Sequence, residues 1–578
     1  MTFAVVCDRL TFSWPDGTTP IRDLDVTFGT GRTGLIGRNG TGKSTLLRLV
    51  AGHLTPTSGT IAVDGDVGHL AQSTPLAADA TVAELLGIER TRLALHAVEA
   101  GGTDPADFAA IGDDWDIEER ALAHLERFGL DLGVRSHAPL DRRVAALSGG
   151  ESILTALAGI ALRRPAVTLL DEPTNNLDRP ARERLYRAVE HWPGVLVVVG
   201  HDPELLGLVD RIAELRDGHL RTWGGDFTAY TEQVAAEQEA ARRAVRAAEG
   251  GVRRERRQLA EAQVKLARRV RFGQKKYDTK REPRVIMNQR KREAQVSAGK
   301  HRATLEERLS RAREERDRAE ETVRDDPAIR IHLPHTEVPA GQDVLLLERW
   351  SSGAETDLIA RGASPRGPGK ESAQGPGPAA DGRWSLRGPE RVAIVGPNGS
   401  GKTTLVRAIV AAARGSRTVP PGYGPPVRVA HVTDRVGYLP QRLDLPDGEP
   451  SVLDHLRAAA PSASEQVVRA GLARFLLRGD RVERRVADLS GGERFRVALA
   501  RLLLADAPPR LLILDEPTNN LDLESRAQLV QALGAYRGAL LVVGHDHVFL
   551  EEIGVRRRWA VERGRPPVEV VGSGGGPS

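Results

Sequence analysis

The feature that most constrains this chain is a set of four short motifs that occurs twice, in the same order. Gly37-Arg38-Asn39-Gly40-Thr41-Gly42-Lys43-Ser44 recurs as Gly396-Pro397-Asn398-Gly399-Ser400-Gly401-Lys402-Thr403. Leu147-Ser148-Gly149-Gly150-Glu151 recurs as Leu489-Ser490-Gly491-Gly492-Glu493, and the nine residues Leu170 to Asp178 recur unchanged as Leu514 to Asp522. Val199-Gly200-His201-Asp202 recurs as Val543-Gly544-His545-Asp546, and the step from Asp171 to His201 and from Asp515 to His545 is 30 residues in both halves. A repeat this long is no solenoid; it is one domain present twice.

Each motif implies a piece of phosphate chemistry. In GxxxxGK[ST] the bare backbone N–H groups and the following helix N-terminus face an anion. Gly37, Asn39, Gly40, Gly42 and Thr45, with Gly396, Asn398, Gly399, Gly401 and Thr404, belong to these two loops. Lys43 and Lys402 are placed to reach β- and γ-phosphates, and Ser44 and Thr403 to hold Mg²⁺. Asp171 and Asp515 end apolar strands and are candidates to bind the same ion through water. Glu172 and Glu516 follow them, placed to polarise an attacking water. Gln72 and Gln441 precede the Ser-Gly-Gly motifs and are candidates to sense metal and water. His201 and His545 are candidate γ-phosphate contacts. Ser148, Gly149 and Gly150, with Ser490, Gly491 and Gly492, form a second kind of anion cradle. Within one copy that cradle has no phosphate to serve, so it predicts head-to-tail pairing of the halves, each ATP lying between one copy's loop and the other's Ser-Gly-Gly.

The halves are not identical. Gln72 precedes Ser148 by 76 residues and Gln441 precedes Ser490 by 49, so the first half carries 27 extra residues within 73–147. Thr81–Ala100 and Ile117–Phe128 read as amphipathic helices flanking a Gly/Asp-rich stretch, 101–116. Between the copies, 233–327 is rich in Ala, Arg, Glu and Gln. Stretches 233–270 and 290–324 suit long helices, separated by a sequence too broken for one helix, which predicts an antiparallel hairpin with a basic tip. A 35-residue helix spans about 50 Å, enough to lift that tip clear of the body. Stretches 363–383 and 572–578 are Pro- and Gly-rich and are expected to be disordered. The domain plan is therefore 1–232, 233–327, 328–571 and a tail, 572–578.

Charge sharpens the hairpin's meaning. The whole chain has 82 Lys+Arg and 78 Asp+Glu, a net +4. Residues 241–300 alone hold 20 Lys/Arg and 6 Asp/Glu, an excess of 14, so the remainder sums to −10. Such asymmetry implies a polyanionic partner. Arg268, Arg269, Arg271, Lys275, Lys276, Lys280, Arg281, Arg284 and Arg290, with Lys291 and Arg292, surround Phe272 and Tyr277. Cations interleaved with aromatics suit RNA phosphates and unstacked bases. Val285, Ile286 and Met287 are apolar in this polar setting and are a candidate contact point.

A single cysteine, Cys7, excludes an internal disulfide framework and multi-thiolate metal sites, and fits a reducing cytoplasm. No run approaches the ~20 apolar residues of a membrane span, and the N-terminus lacks signal-peptide character.

These residues resemble the ATP-binding cassette superfamily, and specifically its ABC-F class. The resemblance covers nearly the whole chain and rests on the twin cassettes, the repeated DEPTNNLD, the charged helical linker and the lack of a membrane domain. It implies an α/β fold of two tandem ABC-type P-loop ATPase domains joined by a long antiparallel helical hairpin. It also implies ATP hydrolysis with Mg²⁺ at two composite sites in a cytoplasmic monomer whose cassettes pair within the chain. Trp14 then stacks on adenine in the first site, with Trp350 its candidate counterpart. ABC-F proteins bind the ribosomal E site when ATP-loaded, their linker reaching toward P-site tRNA, and either modulate translation or protect it from antibiotics. The 27-residue excess corresponds to the class's arm. Ser152 departs from the pattern, where the second copy has Arg494 and the class usually has a basic residue. Gly200 stands where the class more often has Ser. The other reading of the cassettes is a fused ATPase subunit of a transporter with separate permeases, which leaves the basic hairpin unexplained. A DNA-repair or chromosome-structure ATPase is a third, but relatives of that kind usually need longer coiled coils or zinc cysteines.

Overall fold

The computed structural model describes residues 4–72, 79–130, 139–278, 284–324, 329, 333–349, 382–416, 426–443, 450–519 and 521–571. The chain divides into two compact units. One comprises 1–227 with 328–578 and contains both cassettes; the other is Thr228–Pro327.

Each cassette is built on a six-stranded sheet with the same order. In the first, Val67–Leu70, Val167–Asp171, Val195–Val199, Gly31–Ile36, Arg211–Arg216 and His219–Gly224 lie side by side. In the second the order is Val436–Leu439, Leu511–Asp515, Ala539–Val543, Arg391–Val395, Arg557–Ala560 and Val568–Val571. Five strands run parallel and the last is antiparallel. The strands Val195–Val199 and Ala539–Val543, VLVVV and ALLVV, are wholly apolar and wholly buried. That pattern belongs to parallel strands covered on both faces. Three-stranded antiparallel sheets complete each cassette, centred on Ala4–Phe12 and on Asp343–Arg349.

Parallel strands place their C-terminal ends at one edge, where α/β folds bind ligands. Ile36, Asp171 and Val199 in the first cassette, and Val395, Asp515 and Val543 in the second, all end their strands there. Three of the four motifs, the phosphate loop, the run that begins at Leu170 or Leu514 and the Gly-His-Asp turn, thereby converge despite lying as much as 165 residues apart in sequence.

The arm differs from the sequence expectation. Thr81–Ala100 is not one helix but two, Val82–Leu86 and Glu89–Glu99. The first closes on Gly87, left-handed at φ 76°, and opens with a capping box between Thr81 and Glu84. The Gly/Asp-rich stretch contains a further helix, Pro105–Ile111, capped by Asp104. Asp-Pro is a helix start, which the composition of 101–116 hid. Ile117–Arg127 follows as expected.

In the second unit the helices run further than expected, over Phe227–Asp278 and Arg284–Glu321. The first passes through Gly250-Gly251 and Gly273. An interior Gly costs only about 1 kcal/mol, which long helical flanks absorb. The second begins directly after Pro283, which cannot continue a helix from before it. Val252, Leu309 and Ala312, with Leu259 beside them, form an apolar seam between the two helices. The stretch 363–381 and the tail 572–578 lie outside the described residues, as does Trp350; Arg383 opens the strand Arg383–Arg387.

Candidate nucleotide sites

Both phosphate loops turn sharply between strand and helix. Gly37 and Gly396 have φ 153° and 149°, and a Cβ there would stand 2.4 Å from Leu215 O and 2.2 Å from Val561 O. No other residue fits that approach. Gly42 and Gly401, at φ 103° and 99°, cap the helices Lys43–Val50 and Lys402–Ala413. Lys43 Nζ donates to Gly37 O at 2.8 Å and Arg38 O at 3.0 Å, and Lys402 Nζ to Gly396 O at 2.7 Å and Pro397 O at 3.0 Å. The loops thus curl around their own ammonium groups, whose pKa burial lowers. Thr45 is buried on the first loop's helix, and Thr404 lines the second site.

Ser44 Oγ donates to Asp171 Oδ1 at 3.1 Å, and Thr403 Oγ1 to Asp515 Oδ1 at 3.4 Å. The candidate metal ligands of each cassette therefore meet. Burial raises both carboxyls, and among the described residues Asp171 Oδ2 has no hydrogen-bond partner.

Glu172 and Glu516 adopt left-handed backbone, φ 54° and 48°. For a non-glycine residue this costs about 1–3 kcal/mol and recurs at functional sites. Each is held there by its own N–H, which donates at 2.9 Å to Val199 O or Val543 O. His201 Nε2 lies 3.2 Å from Glu172 Oε1, and His545 Nε2 lies 3.3 Å from Glu516 Oε1. Neither contact has hydrogen-bond alignment, and among the described residues both ring nitrogens of His201 are unpartnered. Burial, with Lys402 and Arg182 nearby, pushes His545 down to about 3, so its ring is neutral beside the carboxyl. Burial pushes Glu516 up to about 7, against the pull of Lys402 and Arg182. A carboxyl poised near neutrality suits a general base.

The cassettes meet where each phosphate loop faces a segment to which the sequence alone assigned no role. The Asn39 N–H donates to Asp522 Oδ2 at 2.8 Å, and the Asn398 N–H donates to Asp178 Oδ2 at 3.1 Å. Asn398 Nδ2 also donates to Asn176 O at 3.0 Å, and Arg38 pairs with Glu524. Each phosphate loop is thus completed by the segment after the other cassette's DEPTNN. The signal was legible: both copies of DEPTNNLD end in Asp, the residue that best combines a helix cap with a second acceptor.

A cavity of about 390 Å³ opens over the second loop. Asn398, Gly399, Gly401, Lys402, Thr403, Thr404, Gln441, Glu516 and His545 line it from one cassette, and Asn176 and Leu177 from the other. Among the described residues its walls do not include Ser148, Gly149 or Gly150. Those residues, like Ser490, Gly491 and Gly492, open helices Gly149–Arg163 and Gly491–Leu503 through capping boxes with Glu151 and Glu493. Gln72 is exposed after its strand, while Gln441 faces the cavity. Trp14 packs edge-on against Phe12, with ring centroids 4.9 Å apart. Ser152 is buried and donates to Ser148 O at 3.1 Å, whereas Arg494 Nε donates to Leu489 O at 2.8 Å. At Gly200 a Cβ would meet only Leu205 Cδ2 at 3.8 Å, so the position has room for the commoner Ser.

These residues fit a nucleotide with a divalent cation. Gly40 and Gly399 leave their loops open, with nothing within 4 Å of an added Cβ. Asp171 Oδ2, the His201 nitrogens and His545 Nε2, without partners among the described residues, supply acceptors or donors for a bound group. When bound, Mg–ATP supplies the cleavable phosphoanhydride and neutralises charge on its oxygens. Among the described residues, those of the second unit's predicted RNA contacts that can be placed are Arg268, Arg269, Arg271, Lys275 and Arg292, all exposed, with Phe272 66% exposed. Lys276, Arg284 and Arg290 lie within the two helices, and Lys280 and Arg281 lie outside the described residues.

Comparison with known proteins agrees with this geometry. The family model described as ABC transporter matches residues 21–175 and 380–519, together just over half the chain. A putative ATP-binding protein, YdiF, of Bacillus subtilis is 29% identical over 91% of this chain and 75% of its own length. The tylosin resistance ATP-binding protein TlrC of Streptomyces fradiae is 29% identical, covering 89% of each chain. ABC transporter F family member 5 of Arabidopsis thaliana is 26% identical over 95% of this chain and 73% of its own. Among solved structures, the archaeal ribosome recycling factor aABCE1, in complex with the ribosomal stalk protein aP1, matches with a TM-score of 0.53. That match has 19% identity and covers 97% of this chain and 90% of the other. Two copies of the motif set, two copies of the sheet and relatives spanning both lead to one conclusion: the chain belongs to the ABC transporter family, as a twin-cassette member related along its length to F-class proteins.

Proposed function

We propose that this chain is a two-site ATPase that works as a clamp and binds the ribosome when ATP-loaded. Its helical unit then reaches from the E site toward P-site tRNA, and the outcome is modulation of translation or protection from ribosome-targeting antibiotics. The observation that carries this reading is the excess of 14 positive charges in 241–300, set on two long helices between cassettes that already pair with each other. Phosphate backbones are the natural partner of such a stripe. Two likenesses support it: one relative is described as a tylosin resistance protein, and a solved structure of similar fold is described as ribosome-bound archaeal Pelota and ABCE1.

The residues divide the work. Lys43 and Lys402 hold the phosphates of their own cassettes. Ser44 with Asp171, and Thr403 with Asp515, hold Mg²⁺; Gln72 and Gln441 complete its surroundings through water. Glu172 and Glu516 accept the proton of the attacking water, and His201 and His545 fix the geometry around them. Asp178 and Asp522 keep each loop joined to the opposite cassette. Differential contacts between open and closed cassettes supply the switch energy. The transporter-subunit reading accounts for the cassettes and gives the basic helices no task. No helix among the described residues is long and apolar enough to cross a membrane. Reducing conditions suit the lone buried Cys7, and we place the protein in the cytoplasm.

The test is co-sedimentation of the Glu172→Gln/Glu516→Gln protein with 70S ribosomes. ATP-dependent pelleting is expected. ATP binding without pelleting would remove the ribosome from the proposal and leave the cassettes intact.

A further inference from the structure

The two cassettes differ at one position of the strand that leads into each Gln loop. Val67-Gly68-His69-Leu70 and Val436-Gly437-Tyr438-Leu439 occupy the same place in the two sheets, edge strands paired in parallel with the strands that end in Asp171 and Asp515. Three residues further on stand Gln72 and Gln441. In the second cassette the Tyr438 hydroxyl donates to Asp515 Oδ2 at 3.4 Å, while Thr403 donates to Oδ1 of the same carboxylate at 3.4 Å. Both oxygens of this candidate metal ligand therefore have a donor, and its rotamer is fixed from two sides. In the first cassette His69 takes the tyrosine's place. Among the described residues neither of its ring nitrogens has a hydrogen-bond partner, it has His53 as a ring neighbour with centroids 5.2 Å apart, and Asp171 Oδ2 lacks a donor.

From this difference we infer that Tyr438 is a positioning residue for Asp515, and that His69 leaves the first site without its equivalent, so the two sites hold their divalent cation with unequal affinity. Arg407, five residues after Lys402, stands near the Tyr438 hydroxyl. In the first cassette burial, with His53 and the counterpart Arg48 nearby, holds His69 down at about 4. The imidazole is then neutral and offers Asp171 no charge. Carboxylates that ligate metals are commonly oriented by such outer hydrogen bonds, and losing one weakens binding.

The inference rests on the two-site ATPase reading and is independent of the ribosome. Its test is Mn²⁺ titration by electron paramagnetic resonance of the full-length Glu172→Gln/Glu516→Gln protein with saturating ATP. Two ion classes are expected, and Asp515→Asn identifies the one that belongs to the second cassette. Tyr438→Phe keeps the ring and its packing and removes only the hydroxyl. It should weaken that class by about two- to tenfold, the worth of one ordinary hydrogen bond, and leave the other class unchanged. His69→Tyr should strengthen the other class. Equal ion affinity before and after Tyr438→Phe would overturn the inference alone. Equal weakening of both classes, with a lowered melting temperature, would also overturn it as general damage. No nucleotide-dependent ion in the parent protein would overturn the site reading itself, and this inference with it.

Discussion

At the scale of the residue, one carboxylate often serves two structures at once. Asp522 Oδ1 accepts from the Ser525 N–H at 2.8 Å and caps the helix Leu523–Ala535, while Oδ2 accepts from Asn39 of the other cassette. Burial alone would raise this carboxyl, but the hydrogen bonds from Asn39 and Ser525 outweigh it and hold it below its usual range. Two substitutions separate the roles. Asp522→Asn keeps an acceptor for the cap and weakens the bridge to Asn39, so ATPase activity should fall while urea stability changes by less than about 0.5 kcal/mol. Asp522→Ala should lose the cap as well, at about 1 kcal/mol in the same urea titration. Cys7 offers a second check. It is buried and pushed up to about 11 by burial. A thiol reagent at pH 8 should label it slowly in the native protein and rapidly in denaturant; fast native labelling would show that the first cassette's small sheet opens readily.

At the scale of the element, the sequence signal was strongest where burial is complete. The runs ending at Asp171 and Asp515 are apolar, bounded by turns and five residues long, and they are strands. It was weakest where a helix former and a helix breaker compete. The stretch after 270, which holds Gly273, reads as too broken for a helix, yet the helix Phe227–Asp278 passes through it as it does through Gly250-Gly251, because each glycine costs less than its neighbours contribute. The reverse error occurred at Gly87, where a left-handed cap divides what reads as one amphipathic stretch. A Cβ added at Gly250 meets nothing within 4 Å, and at Gly251 only Arg254 Nη2 at 3.9 Å. Gly250→Ala/Gly251→Ala should therefore stabilise this helix by about 1 kcal/mol per site, read as increased amide-exchange protection over 240–260. The opposite holds at Gly159, where a Cβ would stand 2.7 Å from the Leu86 backbone. Gly159→Ala should cost about 1–3 kcal/mol by forcing apart the arm's first helix and the helix Gly149–Arg163, measured by the shift of the urea midpoint.

At the scale of the whole molecule, the two sites are related but unequal. The first is bridged by the ion pair Arg38–Glu524; the second copy has Pro397 and, across from it, Pro180 at the matching positions. Charge also divides the molecule into a mildly acidic remainder and one basic segment. Replacing Arg268, Arg269, Arg271 and Lys275 by Gln should weaken ribosome pelleting and reduce its dependence on salt, while ATP turnover without ribosomes stays within about twofold of the parent. Unchanged pelleting would move the contact away from this stretch of the helix.

What the sequence determined by itself was everything carried by local chemistry and repetition: two domains, their phosphate loops, the candidate bases and the charged helical segment. These follow from spacing and side-chain type, which the chain states directly. What only the tertiary structure decided was the partner of each loop. The contact between Asn39 and Asp522 joins residues 483 positions apart, and no periodicity encodes which surface of one cassette meets the other. The same holds for Tyr438 and Asp515, 77 positions apart and brought together by strand order alone. Parallel pairing selects its neighbours by burial of both faces at once, a condition that exists only when the sheet is complete.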